Sequence, residues 1–268
     1  MNVPYTYNTI LLQNNTFSGL NLRQNLIVLE EVSSTNDYLK ELLSNIKPLA
    51  EGTAIMAKHQ TQGKGQRGST WLTKAEENLT VSFLLLPNKL DIQYAFNLNM
   101  IICLGVHQWL KHYVEDVYIK WPNDIYIGRK KVGGILIENQ LKGATIKSSV
   151  IGIGININQE DFKSTIKTIA TSLKLSLKTS KNLNIEACCI EMLSQIFTLY
   201  KQFDLKNTDQ LRKAYTSFLF RRGQPTLFEI NGEQIKGTIE GIDRMGRLIV
   251  LIGDSRQSFD LKEIRLLI

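Results

Sequence analysis

The chain is poor in cysteine, histidine and proline, with three, three and five of these residues among 268. Cys188 and Cys189 are adjacent and Cys103 stands alone in an apolar run, so the cysteines indicate neither a disulfide framework nor a CxxC pair. The three histidines lack the spacing of metal ligands. We therefore expect buried, reduced thiols and no metal centre built directly from these residues.

Long hydrophobic runs are also missing. The most apolar stretch, residues 95–110, contains Asn97, Asn99 and His107, which predicts a buried helix rather than a membrane span. Residues 1–15 lack the basic and apolar segments of a secretory signal peptide. The sequence thus predicts a soluble, cytoplasmic protein that has no membrane partner.

Acidic residues are fewer than basic ones, 25 against 32, which gives a formal net charge of +7. Such a charge favours an anionic partner, such as a nucleotide, a nucleic acid or an acidic protein. The densest basic clusters, at 129–131 and 221–222, are short, so a solvated surface of mixed charge explains them equally well. The composition excludes a disordered chain, a collagen-like fibre and a coiled coil.

Hydrophobic periodicity predicts an α+β fold with a mixed, mainly antiparallel sheet. Helices are expected from Ser34 onwards, where Ser34 and Asp37 fit a capping box, and at 92–110, 185–203 and 208–218. Strands are expected at 26–29, 53–57, 79–86, 117–121, 125–127, 132–138 and 149–157. After Arg222 the pattern changes to short strands at 226–230, 235–242, 248–252 and 259–261, which favours a small barrel of about five strands.

A glycine-rich loop, Gly-Lys-Gly-Gln-Arg-Gly at 63–68, follows the second predicted strand. Its glycines let the backbone bend and bring amides close to an anion, and Lys64 and Arg67 add positive charge. The loop is not the P-loop of nucleotide-binding proteins, because no Lys-Ser or Lys-Thr pair closes it. A phosphate site and a mobile surface turn explain this pattern equally well.

Three further segments place polar groups beside strands. In Lys-Trp-Pro-Asn-Asp at 120–124, Asp124 ends a buried strand and faces a cleft, or forms an Asx-turn into a hairpin. Lys131 precedes two glycines and suits a carboxylate or phosphoryl oxygen, or protects an edge strand. Alternating glycine and isoleucine at 152–155 gives one flat strand face, which suits a bound ligand or tight helix packing.

The order and spacing of these motifs together resemble the biotin protein ligases, most specifically in the Trp-Pro-Asn-Asp segment and the glycine loop. The resemblance implies a catalytic domain like that of class II aminoacyl-tRNA synthetases over residues 1–220, and an SH3-like barrel over 221–268. It implies that biotin and Mg-ATP form biotinyl-5′-AMP, and that biotin then passes to a lysine of a biotin carboxyl carrier protein.

The resemblance also assigns roles to individual residues. It implies that biotin is bound by Ser34, Thr35, Asn36, Gln60, Lys64, Gly65, Gln66, Lys131 and Gly134. It implies that ATP or the adenylate is bound by Gly63, Arg67, Gly68, Trp71, Asn123 and Asn156. The catalytic residues implied are Lys131, Asp124, Lys64 and Arg67. Mg²⁺ is expected to arrive with ATP near Asn156, without direct protein ligands.

Two departures from the family pattern lead to hypotheses. Gln66 and Lys64 stand where many relatives have arginine, and Gln66 adds no positive charge to the site. Either Arg67 and Lys64 compensate, or the adenylate is held less tightly, and the second is our hypothesis. The residues before Ser34 show no helix-turn-helix pattern, which predicts a monofunctional ligase with no nucleic-acid partner and leaves a homodimer open. The alternatives are a lipoate or octanoyl transferase of the same fold, and a nucleic-acid or adenylate-sensing binding protein.

Overall fold

The computed structural model describes residues 25–267 except 46–47, 88, 164–165 and 167–168. The predictions made for the start of the chain, on the signal peptide and most of the helix-turn-helix question, lie outside the described residues. The Arg67 side chain is outside them as well. No helix in the described ranges is long and apolar enough to cross a membrane.

All of the predicted helices are present, and one short helix was not predicted. The α-helices of the described residues are α1 (Thr35–Asn45), α2 (Ala95–Lys111), α3 (Leu173–Leu177), α4 (Ile185–Gln202) and α5 (Thr208–Ser217). The amide of Asp37 donates to Ser34 Oγ at 3.4 Å, which caps α1 as predicted. The Asp37 carboxylate pairs with lysines instead of returning to Ser34, so only half of the capping box forms.

The main sheet is mixed and mainly antiparallel, which confirms the prediction. Its strands are β1 (Leu26–Val32), β2 (Ala54–Gln60), β3 (Asn78–Leu85), β4 (Leu90–Asp91), β5 (Val117–Lys120), β6 (Asp124–Ile127), β7 (Lys130–Lys142) and β8 (Thr145–Asn156). They are ordered β1-β2-β3-β8-β7-β6-β5, and β4 pairs with β8. Only β1 and β2 pair in parallel among the described strands of this sheet.

The C-terminal part folds into a second, antiparallel sheet. Its strands are β9 (Pro225–Ile230), β10 (Glu233–Ile242), β11 (Leu248–Ile252), β12 (Ser255–Phe259) and β13 (Ile264–Leu266), in the order β12-β11-β10-β9-β13. The predicted strand at 259–261 is wrong, because residues 261–263 form a turn between β12 and β13. β12 was not predicted, because its side chains before Phe259 are polar and exposed and show no apolar alternation. Closure of this sheet into a barrel stays a prediction.

The two faces of the main sheet are covered differently. On β3, Val81 and Phe83 belong to the large core that includes residues of α2, α4 and α5, and Phe83 meets Phe197 with ring centroids 5.4 Å apart. On the other face, α1 covers one end of the sheet through a small cluster that includes Leu39 and Leu84. The rest of that face forms the floor of a cleft.

Helix α2 carries a buried histidine through the large core. His107 is 2% exposed, and its ring lies 3.9 Å from the Phe218 ring between centroids. Its Nε2 hydrogen-bonds to the carbonyl of Val117 at 3.1 Å, while its Nδ1 has no hydrogen-bond partner among the described residues. Burial lowers the pKa of His107 to about 4, so the ring is neutral near pH 7. The free thiols of Cys103, Cys188 and Cys189 are also buried, as predicted.

The two sheets are joined at the Trp-Pro-Asn-Asp segment. Trp121 Nε1 donates to the carbonyl of Gly246 in the C-terminal sheet at 2.8 Å. The neighbouring Pro122 carbonyl accepts from Tyr215 Oη at 2.7 Å and from Asn99 Nδ2 at 2.9 Å. The start of this motif is therefore fixed by helices α2 and α5 and by the C-terminal sheet together.

Candidate functional site

A cleft of about 710 Å³ opens on the face of the main sheet opposite the large core. Its walls come from the main sheet, the glycine loop and the C-terminal sheet. Most of the predicted site residues line it: Ser34, Thr35, Asn36, Gln60, Lys64, Gly65, Gln66, Trp71, Asn123, Asp124, Lys131 and Gly134. Residues that are far apart in the sequence are thus brought together in one site.

Three predicted residues do not line the cleft. These are Gly63, Gly68 and Asn156. Asn156 is 6% exposed, and its Nδ2 donates to the carbonyl of Thr171 at 3.0 Å. Thr171 in turn donates its amide to the carbonyl of Lys131 at 2.9 Å, so Asn156 fixes the segment that runs beside Lys131.

The register of the main sheet arranges the floor of the cleft in two rows. In the first row, Lys120 is paired with Asp124, Asp124 with Gly134, and Gly134 with Gly154. In the second row, Leu136 is paired with Gly152, and Gly152 with Ser82. Directly paired residues on one face lie about 5 Å apart between Cβ atoms, so each row is a set of close neighbours. Charged groups lie in the first row, and small or uncharged ones in the second.

Lys131 and Asp124 form an ion pair in the cleft, with 2.5 Å between Nζ and Oδ1. Their side chains are 34% and 23% exposed. A register shift makes the pairing possible, because Tyr126 is paired with Lys131 but the preceding Ile125 is paired with Gly133. Without this bulge, residues three apart on a strand would face opposite sides of the sheet.

Consequently Lys131 and Gly134 both face the cleft. A Cβ added to Gly134 would lie 3.5 Å from Lys131 Nζ and 3.3 Å from Asp124 Oδ1. The absence of a side chain at Gly134 leaves the space above the ion pair open to the cleft. The sequence spacing alone did not predict this bulge.

A polar cluster at the other end of the cleft is held together by hydrogen bonds. The amide and Oγ1 of Thr35 donate to Gln60 Oε1 at 2.8 and 2.9 Å. Ser82 Oγ lies 2.7 Å from Thr35 Oγ1 and 2.5 Å from Asn36 Oδ1. All four residues are at most 9% exposed. Side chains fixed in this way offer oriented donors and acceptors to a ligand.

Asn36 is also held by a charged pair that lies outside the polar cluster. Its Nδ2 donates to Glu138 Oε2 at 2.7 Å, and Lys40 pairs with Glu138 Oε1 at 2.7 Å. Lys40 also lies 2.9 Å from Asp37 Oδ1. Burial alone would lower the pKa of Lys40, but the hydrogen bond to Glu138 and the one to Asp37 outweigh it and raise that pKa. Asn36 therefore rests on a charged network at the start of α1.

The same network reaches the glycine loop. Lys64 Nζ lies 2.6 Å from Asp37 Oδ2, so this predicted site lysine is already in an ion pair. Burial alone would raise the pKa of Asp37, but hydrogen bonds from Lys64 and Lys40 hold it below its ordinary value. The charge of Lys64 is therefore balanced by α1, and Lys64 anchors the loop to that helix.

The glycine loop is a small hairpin rather than an irregular turn. The Gly65 amide donates to the Ser69 carbonyl at 2.7 Å, and the Trp71 amide donates to the Gly63 carbonyl at 2.8 Å. A 3-10 turn at Gln66–Gly68 forms its tip. Both amides are engaged in this hairpin, so the Gly65 amide is not free to face an anion, and the anion-binding role of the loop stays a prediction.

The glycines of β8 admit two side chains onto the floor of the cleft. A Cβ on Gly152 would lie 2.3 Å from Asn36 Oδ1, and one on Gly154 would lie 2.3 Å from Trp71 Cε2. Larger residues at these positions would displace Asn36 or Trp71. Trp71 Nε1 is buried with no hydrogen-bond partner among the described residues, so a donor at the floor is left unused.

Sequence reasoning missed two groups of cleft residues. Lys120 was noted only as part of a motif, although it lines the cleft beside Asp124. The C-terminal sheet and its turns contribute Glu229, Asn231, Lys262, Glu263 and Arg265. The charged residues at 262–265 were visible in the sequence, but no local pattern shows that this unit folds over the cleft.

The described residues contain no group of three or more His, Cys, Asp or Glu side chains that could hold a metal ion. The Asp124 carboxylate already forms an ion pair with Lys131. The described part of the cleft therefore does not fit a metal centre built from protein ligands alone.

Two family descriptions match the chain. Residues 28–156 match the Biotin/lipoate A/B protein ligase family, and residues 223–261 match the Biotin protein ligase C terminal domain. The first match contains Lys131, Asp124 and the polar cluster around Asn36. The second contains most of the C-terminal sheet.

Curated relatives are named as ligases. The chain is 38% identical over 153 residues to the Bifunctional ligase/repressor BirA of Bacillus subtilis, over 56% of this chain and 46% of that protein. It therefore spans about half the length of this relative. It is 26% identical over 242 residues to the Biotin--[acetyl-CoA-carboxylase] ligase of Paracoccus denitrificans, over 88% of this chain and 98% of that one.

A solved structure matches the whole architecture. The biotin protein ligase from Aquifex aeolicus in complex with biotin and ATP is 30% identical, with a TM-score of 0.74. The alignment covers 91% of this chain and 98% of that chain. Both sheets of the present structure therefore have counterparts in one known fold.

Proposed function

Because the chain belongs to the biotin protein ligase family, we propose that it activates biotin with ATP and joins it to a lysine of a carrier protein. The Lys131–Asp124 pair on the floor of the cleft is the observation that carries this proposal. It supplies a cation and a carboxylate in the same cleft as a polar cluster that can orient a small ligand. The solved relative that matches both sheets is described in complex with biotin and ATP.

In the first step, a carboxylate oxygen of biotin attacks the α-phosphorus of ATP. The new bond is an acyl–phosphate bond, the bond to the β-phosphate oxygen breaks, and diphosphate leaves. Both reactants are anions, so cations must reduce their repulsion in the transition state. We assign this role to Lys131, which the bulge and the Asp124 contact hold in a fixed position.

In the second step, the amine of the carrier lysine attacks the acyl carbon. The carbon–nitrogen bond forms, the bond to the phosphate oxygen breaks, and AMP leaves. A free lysine amine with a pKa of about 10.4 is only about 0.1% neutral near pH 7.4. Asp124 is the carboxylate proposed to accept the proton of the attacking amine, because it lines the cleft in contact with Lys131, to which we assign the anionic reactants.

The binding roles are divided between the two ends of the cleft. We assign the ureido ring of biotin to Ser34, Thr35, Asn36 and Gln60, because this cluster holds buried donors and acceptors in fixed directions. The adenylate is assigned to the other end, near Asn123 and the wall formed by the C-terminal sheet. Mg²⁺, when bound with ATP, supplies charge neutralisation at the phosphates.

Closure against water is the function proposed for the glycine loop. An acyl-adenylate hydrolyses when water reaches it, so a covering segment protects the intermediate. Trp71 lies over Gly154 on the floor, and Lys64 ties the loop to α1. Both contacts keep the loop over the row that contains Asp124.

A lipoate ligase is the second candidate, because the first family description includes lipoate ligases. The match of residues 223–261 to the C-terminal domain of biotin protein ligases favours biotin. The polar cluster around Asn36 also suits a ureido group, which both donates and accepts hydrogen bonds, better than a dithiolane ring. We propose a biotin carboxyl carrier domain as the acceptor.

The proposal is tested by transfer of labelled biotin to a purified biotin carboxyl carrier domain. We expect labelling that requires ATP and releases diphosphate, and no labelling of a carrier whose acceptor lysine is replaced by arginine. Labelled lipoate, offered with a lipoyl carrier domain, is the competing substrate. Transfer of lipoate in place of biotin, or no ATP-dependent transfer of either, would contradict the proposal.

A further inference from the structure

Lys120 ends β5 on the same row of the sheet as the Lys131–Asp124 site. It is directly paired with Asp124, which is paired with Gly134 on the next strand. It lines the cleft and is half-buried there. Since paired residues on one face are close neighbours, the Lys120 side chain starts within one strand spacing of the Asp124 carboxylate.

Lys120 differs from the two other cleft lysines of the main sheet and the glycine loop. Lys131 is paired with Asp124, and Lys64 is paired with Asp37. Among the residues that the structure describes, the Lys120 side chain has no ion pair and no hydrogen bond. It lies over the Tyr126 ring, whose centroid is 5.8 Å from Nζ, at the outer limit of a cation–π contact.

The surroundings of Lys120 disfavour an isolated positive charge. Burial lowers the pKa of Lys120 below its ordinary value, Asp124 opposes this shift and Lys131 adds to it. Half-buried cations are normally paired, because an ammonium that has lost water without gaining an acceptor is destabilised. Such a group is stabilised when an anion enters the cleft.

The charges on the floor support the same conclusion. Lys131 and Asp124 neutralise each other at 2.5 Å, so the positive charge left over in this row belongs to Lys120. An anionic oxygen above Gly134, where no side chain stands, would lie beside Lys131, and Lys120 starts on the same row, on the other side of Asp124. The row is therefore complementary to a ligand that carries one negative group at this point.

We propose that Lys120 is a second cationic contact for the anionic centre of the reaction, supplied either by the biotin carboxylate or by the α-phosphoryl group of ATP. This inference rests on the proposed function and adds a residue to it. Lys131 is fixed by its carboxylate partner, whereas Lys120 contributes the charge that the ligand neutralises. Lys120 thus acts on the reacting atoms and belongs to the catalytic residues of the site.

The test uses the full chain with three substitutions. Lys120→Met removes the charge and keeps the aliphatic stem, Lys120→Arg keeps the charge, and Lys147→Met removes an exposed lysine of β8 that does not line the cleft. Lys120→Gln is the second neutral variant, used if thermal unfolding shows that the Met variant is not folded. Binding of biotin and of its alcohol analogue is measured by calorimetry, and adenylation by ATP–diphosphate exchange.

If the carboxylate is the source of the charge, Lys120→Met weakens biotin binding about 10- to 100-fold, as for a lost charged hydrogen bond, and leaves the alcohol unaffected. If the α-phosphoryl group is the source, biotin binding is retained and the exchange rate falls by a similar factor. In both cases Lys120→Arg recovers most of the loss and Lys147→Met shows none.

Unchanged binding and exchange in Lys120→Met, or a loss that Lys120→Arg does not recover, would overturn the inference and leave the proposed function standing. A wild-type protein that binds neither biotin nor its alcohol would overturn the proposed function, and with it the inference. The two failures are therefore distinguishable in one set of titrations.

Discussion

On β8, Ile151 and Ile155 are buried in the large core, whereas Gly152 and Gly154 lie on the opposite face and admit Asn36 and Trp71. The same alternation holds on β3, where Phe83 belongs to the core and Ser82 contacts Thr35 and Asn36. One face of the sheet packs against the helices through buried apolar side chains. The other face binds polar and charged side chains at the floor of the cleft.

This difference between neighbouring residues indicates that alternate positions of the same strands serve the stability of the fold on one face and the chemistry of the cleft on the other. Side chains that alternate along a strand point to opposite faces, so adjacent residues sample different environments. Substitutions on the apolar face should change the free energy of unfolding, and substitutions on the cleft face should change ligand binding or rate. The following experiments test how far that separation extends.

The largest effect is expected for Lys131→Ala on the cleft face. We expect the rate of ATP–diphosphate exchange to fall at least about 10³-fold, which corresponds to about 4 kcal/mol of transition-state stabilisation. The free energy of unfolding should change by less than about 1 kcal/mol, because the Lys131–Asp124 pair is partly exposed. The neighbouring Lys130 is exposed, and Lys130→Ala is the matched control. Full activity of Lys131→Ala would show that its role is wrongly assigned.

The second effect is expected on the apolar face, for Phe83→Ala. Phe83 is fully buried against Phe197, so its truncation should lower the free energy of unfolding by about 3–5 kcal/mol in urea titrations. Biotin affinity of the folded protein should stay within about twofold of the wild type, because Phe83 does not line the cleft and makes none of its polar contacts. Phe83→Leu, which retains more volume, is the control and should cost less. A loss of biotin affinity well beyond twofold in the folded variant would contradict the separation of the faces.

The third effect concerns the pH dependence of stability on the apolar face. The pKa of His107 is about 4 when folded and about 6.5 when unfolded, so the unfolded chain binds the proton more readily between these values. The stabilisation from neutral His107 is present above pH 6.5 and is lost as the pH falls towards 4, by about 3 kcal/mol. Urea titrations across this range should show a flatter profile for His107→Gln. His112→Gln, at an exposed histidine, should behave as the wild type.

The fourth effect is expected for Ser82→Ala, next to Phe83 but on the cleft face. Loss of the contacts to Thr35 and Asn36 should weaken biotin binding by about 1 kcal/mol, or about fivefold, in calorimetry. Ser149→Ala is the matched control, because Ser149 is also buried and hydrogen-bonded, to Asn139 at 2.7 Å, outside the cleft. Equal biotin affinities in the two variants would show that Ser82 does not orient the polar cluster.

The smallest effect is expected for Gln66→Arg at the tip of the glycine loop. Gln66 lines the cleft but carries no charge, and an arginine there would add a charge-assisted contact to an adenylate. Release of biotinyl-adenylate, followed by rapid filtration in the absence of carrier, should be several-fold slower in the variant. Equal release rates from both proteins would contradict the hypothesis that the wild type holds its intermediate loosely.

The sequence alone was sufficient to predict the secondary-structure elements that depend on local residue patterns. The apolar runs at 79–86 and 149–157 predicted β3 and β8. The resemblance to the biotin protein ligases, and not the local patterns, implied that these motifs share one site, and most of the residues it named line the cleft. β12 was missed because its exposed polar residues follow no apolar alternation. The short strand at 264–266 was missed because three residues are too few for a pattern.

Contacts between distant segments could not be predicted. The bulge beside Lys131 depends on how β6 and β7 align, and the sequence of either strand alone does not predict it. The Lys64–Asp37 pair joins a loop to a helix 27 positions earlier in the chain, so the loop lysine was assigned to ligand instead. The C-terminal wall of the cleft, including Lys262 and Arg265, depends on the docking of two sheets. Such features follow from tertiary packing, which local patterns do not encode.

The wall that the C-terminal sheet adds to the cleft has a consequence for biosynthesis. The cleft is lined by residues from Ser34 to Leu266, so its last strand is synthesised after nearly all of the remaining site. A ribosome-bound chain whose β13 is still in the exit tunnel can form the main sheet but lacks the C-terminal wall of the cleft. The complete cleft therefore forms only after β13 has left the exit tunnel.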